Sequence, residues 1–287
     1  MQDAVIILHL ASRIGAKRLC TLFQMPETVL SSRAHPLCKI GRALHDAKGR
    51  REHGLFLLEG ANAVGAALDQ KWPLRELFAL ENERELSARA QAIGVATRRA
   101  TREFLAALCE SQTPPAIVAW GELPPVRDDF EFGDGLVLVL DGVADPGNVG
   151  TLWRAAHALG AKAVLPVRGT ADAWSPKVIR AAAGSVLALP PIQLRDASPE
   201  NVARSLGEKQ IPIVRADAHG GQPITRLAWP RRVALVLGHE TRGVSAEFVG
   251  QSVTIPLPGG AESLNVAMAG TLALWEWTRF ASAELRE

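Results

Sequence analysis

The second half of the chain alternates short apolar runs with segments in which apolar residues recur every three or four positions. Short runs of the first kind predict strands, and the spaced pattern predicts helices. Runs such as "LVLVL" are apolar on both faces, which is typical of strands covered by helices on two sides. The pattern therefore predicts an α/β fold with a mostly parallel sheet between helical layers. The predicted strands are Leu136–Leu140, Ala163–Val167, Ile211–Arg215, Val233–Leu237 and Val253–Leu257, and the predicted helices are Val149–Leu159, Lys177–Val186, Glu200–Gly207, Ala246–Gln251 and Leu264–Phe280.

The first half shows the same alternation on a smaller scale. Its predicted strands are Leu55–Leu58, Leu77–Leu80 and Ala116–Trp120, and its predicted helices are Ala61–Asp69, Glu83–Ala92 and Arg102–Glu110. Proline, glycine and acidic residues interrupt the apolar periodicity at "GELPPVRDDFEFGDG", residues 121 to 135, which indicates a linker. We therefore divide the chain into an N-terminal extension (1–30), a small α/β domain (31–121), a linker (122–135) and a larger α/β domain (136–287).

The composition is typical of a globular protein, because 47% of the 287 residues are hydrophobic and 22% are charged. The three cysteines are widely spaced and lack a CxxC pair, so we expect neither a disulfide framework nor a zinc site. His157 and His239 have no partners at metal-ligand spacing, and we expect no metal. Asp3 precedes the apolar opening, and the charge-free stretch Ser263–Trp275 is too short and too polar to span a bilayer. A cytoplasmic protein without a membrane segment is the expectation.

Positive charge is concentrated near the N-terminus. The first 120 residues contain 16 Lys and Arg against 12 Asp and Glu, although the whole chain carries a net charge of only +2. Between Arg33 and Arg51 the basic side chains face Asp46 alone; they include Lys39, Arg42, Lys48, Arg50 and Arg51. Such a cluster is either a phosphate-binding surface or an ordinary solvated one.

Three loops that follow predicted strands are candidates for the chemistry, because ligands of parallel sheets bind at the carboxyl ends of the strands. The first is "DGVADPGNVGTLWRA", in which Asn148 can cap the next helix. An apolar stripe at Leu152, Ala155, Ala156 and Leu159 faces the sheet, so Arg154 falls on the opposite side of the helix.

The second loop is "LGHETRGVS", and the third is "IPLPGGAESLNVAMAG". Glu240 presents charge in the second, while Ser263 and Asn265 begin a nearly apolar helix in the third. Those two residues are either helix caps or ligand contacts. The patterns of a dinucleotide site, a phosphate-binding P-loop and a nucleophile elbow are all absent.

Taken together, the three loops resemble the three signature motifs of the SpoU (TrmH-like) family of SPOUT-superfamily RNA 2'-O-ribose methyltransferases. "DPGNVGTLWRAAHALGA" resembles motif one, "LVLGHETRGVS" motif two and "IPLPGGAESLNVAMAG" motif three. The stretch "SPKVIRAAAGSVLALP" is similar to a further family segment, with Ala182 where serine is frequent. "AKGRREHGLFLLEGANAV" resembles the family's substrate-binding domain, a small α/β RNA-binding fold that here contains the basic cluster.

The resemblance implies a SPOUT-type sheet whose C-terminal segment forms a trefoil knot, with S-adenosylmethionine bound in the knot. By motif position, the backbone groups expected to hold this cofactor belong to Leu237, Gly238, Ile255, Leu257 and Leu264. The family is usually homodimeric, and the resemblance implies an RNA site that uses both subunits. Trp153, Trp275 and Trp277 serve either that interface or the core.

The implied reaction is methyl transfer to a ribose 2'-hydroxyl, with ribosomal RNA favoured over transfer RNA. Arg154 matches the family's catalytic arginine, and Asn148, Glu240, Ser263 and Asn265 match its other functional positions. Family descriptions often make the arginine a base, but a guanidinium is effectively always protonated. We expect Arg154 to bind the neighbouring phosphate, position the hydroxyl and stabilise developing negative charge. The proton is then accepted either by the substrate phosphate or by a transiently deprotonated arginine.

Three other functions remain open on the sequence alone. A protein of this fold that has lost catalysis would be an RNA-binding ribosome-assembly factor, although the intact motif residues speak against it. An active enzyme could instead methylate the ribose of transfer RNA, or an RNA base.

Overall fold

The computed structural model describes residues 29–109 and 112–284, so the N-terminal extension predicted at 1–30 lies almost entirely outside the described residues. The predicted fold class is confirmed: the described residues form a smaller N-terminal α/β region and a larger parallel sheet. No helix in this part of the chain is long and apolar enough to cross a membrane.

The N-terminal region contains a four-stranded sheet in the order β1-β4-β2-β3, with only β2 and β3 parallel. Its elements are α1 (Pro36–Ala43), α2 (Ala47–His53), β1 (Leu55–Glu59), α3 (Ala61–Asp69), β2 (Leu74–Ala79), α4 (Arg84–Ala92), β3 (Ala96–Arg99), α5 (Arg102–Cys109) and β4 (Ile117–Glu122). Helices α1 and α2 and strand β3 were not predicted. Strand β3 lacks an apolar pattern, because its residues alternate between exposed and half-buried positions at the edge of the sheet.

The C-terminal sheet has six strands in the order β6-β5-β9-β7-β10-β8, and every strand pair in it is parallel. Its elements are β5 (Gly135–Asp141), α6 (Pro146–Ala158), β6 (Ala163–Pro166), α7 (Pro176–Ala181), α8 (Ser185–Ala188), α9 (Pro199–Glu208), β7 (Ile213–Ala216), β8 (Gln222–Pro223), a 3-10 turn (Ile224–Arg226), β9 (Arg232–Gly238), β10 (Gln251–Thr254) and α10 (Val266–Glu284). The central strand β5 is buried along its whole length, as its two-sided apolar run predicts.

Two predicted helices are corrected. The helix predicted at Lys177–Val186 is interrupted, because Ala183 and Gly184 both have left-handed backbones (φ +49° and +82°). A Cβ on Gly184 would lie 2.5 Å from the Ala66 Cβ, so the break also allows α8 to pack closely on α3. The helix predicted at Ala246–Gln251 is wrong: a turn occupies this segment, with Phe248 buried beneath it, and β10 begins at Gln251.

The last predicted strand is also displaced. Val253–Leu257 was expected, but β10 ends at Thr254. Pro256 and Pro258 carry no N–H group and cannot continue the hydrogen bonding of a strand. Ile255 and Leu257 are thereby released from the sheet.

The predicted linker packs against the C-terminal sheet. Phe130 is only 2% exposed and lies in the hydrophobic cluster on one face of that sheet. The Lys209 Nζ donates to Asp129 at 2.9 Å and to Glu131 at 3.1 Å, which fixes the segment on both sides of the phenyl ring.

The two sheets meet across a packed junction. The Trp174 ring lies 4.6 Å from that of Phe56 and 5.4 Å from that of Trp72, and one hydrophobic cluster includes residues of both sheets. The Arg50 guanidinium donates to the Asp172 carboxylate at 2.5 Å and to the Leu44 carbonyl at 2.8 Å.

The inclusion of Arg50 in the predicted phosphate-binding cluster is therefore wrong. Arg50 is only 3% exposed, and the Asp172 carboxylate compensates its charge. It joins the two sheets and has no surface to offer to RNA.

Candidate functional site

A cavity of about 330 Å³ lies at the carboxyl ends of β7, β9 and β10. Its volume falls in the range of small-molecule sites. Apolar side chains form much of the wall, including Ile224, Leu237 and Val253, whereas carboxylate, amide and hydroxyl groups stand elsewhere along it. The cavity thus offers an apolar surface with a few polar contacts.

All five predicted cofactor residues line this cavity: Leu237, Gly238, Ile255, Leu257 and Leu264. Three of the predicted catalytic residues, Glu240, Ser263 and Asn265, line it as well. The early end of β10 explains why Ile255 and Leu257 are available. Both follow the last strand residue and are half-buried beside the cavity.

The loop after β9 is a tight turn that folds back on the strand end. The His239 N–H donates to the Gly243 carbonyl at 3.1 Å, and the Gly243 N–H donates to the His239 carbonyl at 2.8 Å. A Cβ on Gly238 would lie 2.2 Å from the Gly243 carbonyl carbon, so only glycine permits this turn. The buried Asp141 carboxylate holds the far side of the loop by accepting from the Ser245 N–H at 2.6 Å.

A chain of side-chain hydrogen bonds joins the three loops beside the cavity. The Asn148 Nδ2 donates to the Glu240 Oε1 at 3.1 Å, and the Asn265 Nδ2 donates to the Asn148 Oδ1 at 3.0 Å. One residue from each of the three loops takes part. The structure therefore brings these separated residues together, as a common site requires.

The capping assignments are settled by the hydrogen bonds. Asp145 caps α6 by accepting from the Asn148 N–H at 2.8 Å, so the expectation that Asn148 is the cap is wrong. Pro146 occupies the first helical position, so Asn148 is the third residue of the helix and its side-chain amide group is left for the other loops. The Asn265 Oδ1 does cap α10, accepting from the Ala267 N–H at 2.9 Å, while its Nδ2 contacts Asn148.

Arg154 is exposed on α6, opposite the buried Leu152 and Ala156, as the helical pattern predicts. It does not line the cavity. It lies six residues after Asn148, which corresponds to about 9 Å along the helix axis. Trp153, next to it, is fully buried and belongs to the core.

The sequence did not point to Asp217, which lines the cavity and is half-buried. It follows β7 directly, and its Oδ1 accepts from the His219 N–H at 2.9 Å. The rule that ligands bind at strand ends would have found it, but this loop carries no family motif to draw attention to it. A carboxylate in this place can accept hydrogen bonds from hydroxyl or amino groups.

The remaining members of the predicted RNA-binding cluster are exposed: Lys39, Arg42, Lys48 and Arg51. Arg42 lines a second cavity between α1 and α5, and the other three do not. Their role in RNA binding stays a prediction.

Two family descriptions match the chain. The SpoU rRNA Methylase family matches residues 135–275, which include the three loops of the site. The MRM3-like substrate binding domain matches residues 36–119, which include most of the N-terminal sheet.

Similar proteins include two bacterial methyltransferases. The 23S rRNA (uridine(2479)-2'-O)-methyltransferase of Streptomyces viridochromogenes is 33% identical over 80% of this chain and 84% of its own. The 23S rRNA (guanosine(2553)-2'-O)-methyltransferase of Bacillus subtilis strain 168 is 30% identical over 82% of this chain and 92% of its own.

Solved structures agree with these matches over both sheets. The AdoMet-bound rRNA methyltransferase from Sinorhizobium meliloti is 28% identical with a TM-score of 0.78, covering 87% of this chain and 97% of that one. The SpoU methyltransferase AviRb from Streptomyces viridochromogenes, in complex with AdoMet, is 30% identical with a TM-score of 0.75, covering 86% and 98%. The resemblance seen in the three loops is confirmed, and the chain belongs to the SpoU rRNA methylase family.

Proposed function

We propose that the protein transfers a methyl group from S-adenosylmethionine to a ribose 2'-hydroxyl of ribosomal RNA. The observation that carries this proposal is the hydrogen-bonded chain of Asn148, Glu240 and Asn265 at the edge of the cavity. The two relatives described above are named as 23S rRNA methyltransferases, which supports ribosomal RNA over transfer RNA as the substrate.

The residues of the cavity fit S-adenosylmethionine. Leu237, Ile255 and Leu264 supply apolar surface for an adenine ring, and Asp217 supplies an acceptor for sugar hydroxyls or amino groups. Glu240 adds negative charge that suits a cationic donor. When bound, this cofactor supplies an electrophilic methyl carbon on a sulfonium.

The tasks left to the protein are to align the hydroxyl with the donor and to assist the departure of its proton. Asn148 is held from both sides, which fixes the loop that leads into α6. Arg154 binds the phosphate beside the target nucleotide and stabilises negative charge developing on the 2'-oxygen. The substrate phosphate accepts the proton, because a guanidinium has no free lone pair.

A homodimer completes the site. Arg154 does not line the cavity of its own chain, which is consistent with a site that a second protomer completes. An exposed apolar stripe on α10 supports such an interface: Met268, Leu272 and Trp275 are 60%, 46% and 57% exposed and recur at helical spacing. Trp277 is buried in the core and takes no part.

The trefoil knot and the cytoplasmic setting belong to the same proposal, as do the domain borders at 31–121 and 136–287. The position of β10 between β7 and β8 supports the knot, since a late strand has been inserted beside an earlier one.

The function is tested by incubating the purified protein with S-adenosylmethionine and unmodified ribosomal RNA, then mapping 2'-O-methyl groups. We expect one or a few ribose methylations in the large-subunit RNA and none in transfer RNA. Calorimetry with S-adenosylmethionine accompanies this assay. Absence of binding would favour the non-catalytic assembly factor, and methylation of a base would reject the ribose assignment.

A further inference from the structure

The segment between β6 and α7, residues 167–175, lies against the carboxyl end of β5, and we call it the connecting segment. The Val167 N–H donates to the Leu140 carbonyl at 2.9 Å, and the Ala171 N–H donates to the Val143 carbonyl at 2.9 Å. Among the described residues that line the donor cavity, none belongs to this segment. The connecting segment therefore supports the first loop of the site from outside the cavity.

The Thr170 hydroxyl bridges the residues on either side of Asp141. Its Oγ1 donates to the Leu140 carbonyl at 2.6 Å and accepts from the Gly142 N–H at 3.1 Å. Gly142 is buried and has a left-handed backbone (φ +74°), so the chain turns sharply there inside the protein. One hydroxyl group, used both as donor and as acceptor, thus fixes the backbone where β5 becomes the first loop.

Asp141, at the centre of this bridge, affects two of the three loops. Its carboxylate accepts from the Ser245 N–H of the second loop at 2.6 Å. Further along the first loop, Asp145 accepts from the Asn148 N–H at 2.8 Å and caps α6. A shift of the backbone at Asp141 would therefore displace both the second loop and the start of the helix that carries Arg154.

The connecting segment is itself held in place from its other side. The Asp172 Oδ1 accepts from the Trp174 N–H at 2.9 Å, and its Oδ2 accepts from the buried Arg50 guanidinium at 2.5 Å. The Thr170 N–H donates to the Val167 carbonyl at 3.0 Å. Because the segment is anchored in this way, the Thr170 hydroxyl can determine the position of the first loop instead of following it.

Building on the methyltransferase function proposed above, we propose that Thr170 is a positioning residue for methyl transfer. Its hydroxyl holds the first loop so that Asn148 and the helix bearing Arg154 are aligned with the target ribose. It acts through the backbone and touches neither the donor nor the RNA. The turn after β9, which borders the donor cavity, has hydrogen bonds of its own, so Thr170 contributes to the rate of transfer and not to donor binding.

Three substitutions of Thr170 separate the hydroxyl from the rest of the side chain. Thr170→Val keeps the branched shape and removes the hydroxyl. Thr170→Ala removes the hydroxyl without placing a methyl group beside the Leu140 carbonyl, and Thr170→Ser retains the hydroxyl. Thr278→Val is the matched control, because the half-buried Thr278 hydroxyl contacts the Leu159 carbonyl at 2.9 Å and the Leu274 carbonyl at 2.8 Å, at the far end of α6.

We expect Thr170→Val and Thr170→Ala to slow single-turnover methyl transfer by about tenfold at saturating S-adenosylmethionine and ribosomal RNA, because small displacements of aligned groups lower the rate. Thr170→Ser and Thr278→Val should retain most of the wild-type rate. Calorimetry should give donor dissociation constants within about threefold of wild type in every variant. A wild-type rate in either hydroxyl-free variant, an equal loss in Thr170→Ser or Thr278→Val, or a loss of donor affinity as large as the loss of rate would overturn the inference.

Hydrogen exchange gives a second readout that does not depend on activity. The Gly142 and Asn148 amides should exchange faster in the hydroxyl-free variants than in wild type, whereas those of β1 should be unchanged. Unchanged exchange at both amides would overturn the inference even if the rate fell. Melting curves show whether Thr170→Val folds, and if it does not, Thr170→Ala and Thr170→Ser carry the comparison.

The unaltered protein separates this result from the proposed function. If wild type methylates ribosomal RNA and the hydroxyl-free variants do so equally fast, the role of Thr170 fails alone. If wild type transfers no methyl group, the enzymatic assignment fails, and the exchange measurement decides whether Thr170 holds the first loop.

Discussion

Asn148 shows how one side chain joins three distant parts of the sequence. Its amide accepts from Asn265 and donates to Glu240, residues more than 90 positions away. The sequence indicated that these residues share a site, because each follows a predicted strand of one parallel sheet. It could not indicate their mutual hydrogen bonds, since those depend on Asp145 rather than Asn148 capping α6.

Replacing Arg154 with alanine should reduce methyl transfer by about 100-fold or more, because a preorganised donor for developing negative charge is lost. S-adenosylmethionine affinity should be nearly unchanged, since the proposed contacts of Arg154 are with the RNA phosphate and the 2'-hydroxyl and not with the donor. Single-turnover kinetics and calorimetry measure the two quantities separately. Full activity in the variant would exclude Arg154 from the chemistry.

Asp217→Ala is expected to weaken S-adenosylmethionine binding by about 10- to 100-fold, the loss of one or two hydrogen bonds to a charged group. The pocket walls stay intact, so folding should be little affected. Calorimetry of the variant tests this, with Asp217→Asn as the conservative comparison. Identical affinities in all three proteins would show that this carboxylate does not touch the donor.

At the scale of helices and strands, the apolar pattern gave wrong predictions where the local backbone geometry is irregular. Apolar periodicity gave helix α3 with the observed bounds and central strand β5 to within one residue at each end. It did not reveal the left-handed backbone at Ala183 and Gly184, because alanine is ordinarily a helix former. The turn before β10 was also predicted as a helix, because a segment this short shows no apolar periodicity that could distinguish a turn from a helix. Phe248 is its one fully buried residue.

The turn after β9 provides a test at this scale. Gly238→Ala should destabilise the protein by about 1–3 kcal/mol and abolish cofactor binding, because its methyl group would overlap the backbone of Gly243. Gly207→Ala is the matched control, since a Cβ there meets no atom within 4 Å. Thermal unfolding and calorimetry measure both effects. A Gly238→Ala protein that bound the donor normally would contradict the close approach described for this turn.

At the scale of the whole molecule, the junction between the two sheets could not be predicted from the sequence. Arg50 sits in a run of basic residues and was interpreted with them, yet its partner Asp172 lies 122 positions later. Nothing local distinguishes it from Arg51, which is exposed. Only the packing of Trp174 onto the N-terminal sheet places the carboxylate beside the guanidinium.

Arg50→Ala should therefore lower the free energy of unfolding by about 3 kcal/mol, at the low end for a broken buried ion pair because Asp172 is 35% exposed. Arg51→Ala should have almost no effect on stability. Chemical denaturation of both variants, and a double-mutant cycle with Asp172→Asn, measures the coupling. A coupling near zero would mean that the pair does not hold the sheets together.

The shared core beneath Trp174 has a consequence for how a target nucleotide is chosen. Because Phe56, Trp72 and Trp174 are packed together, the N-terminal region is held against the part of the chain that contains the donor cavity. Under the proposal that the N-terminal region binds the RNA substrate, this packing sets the distance between the bound segment and the donor. The folded distance of a nucleotide from the bound segment then contributes to the choice of the methylated ribose.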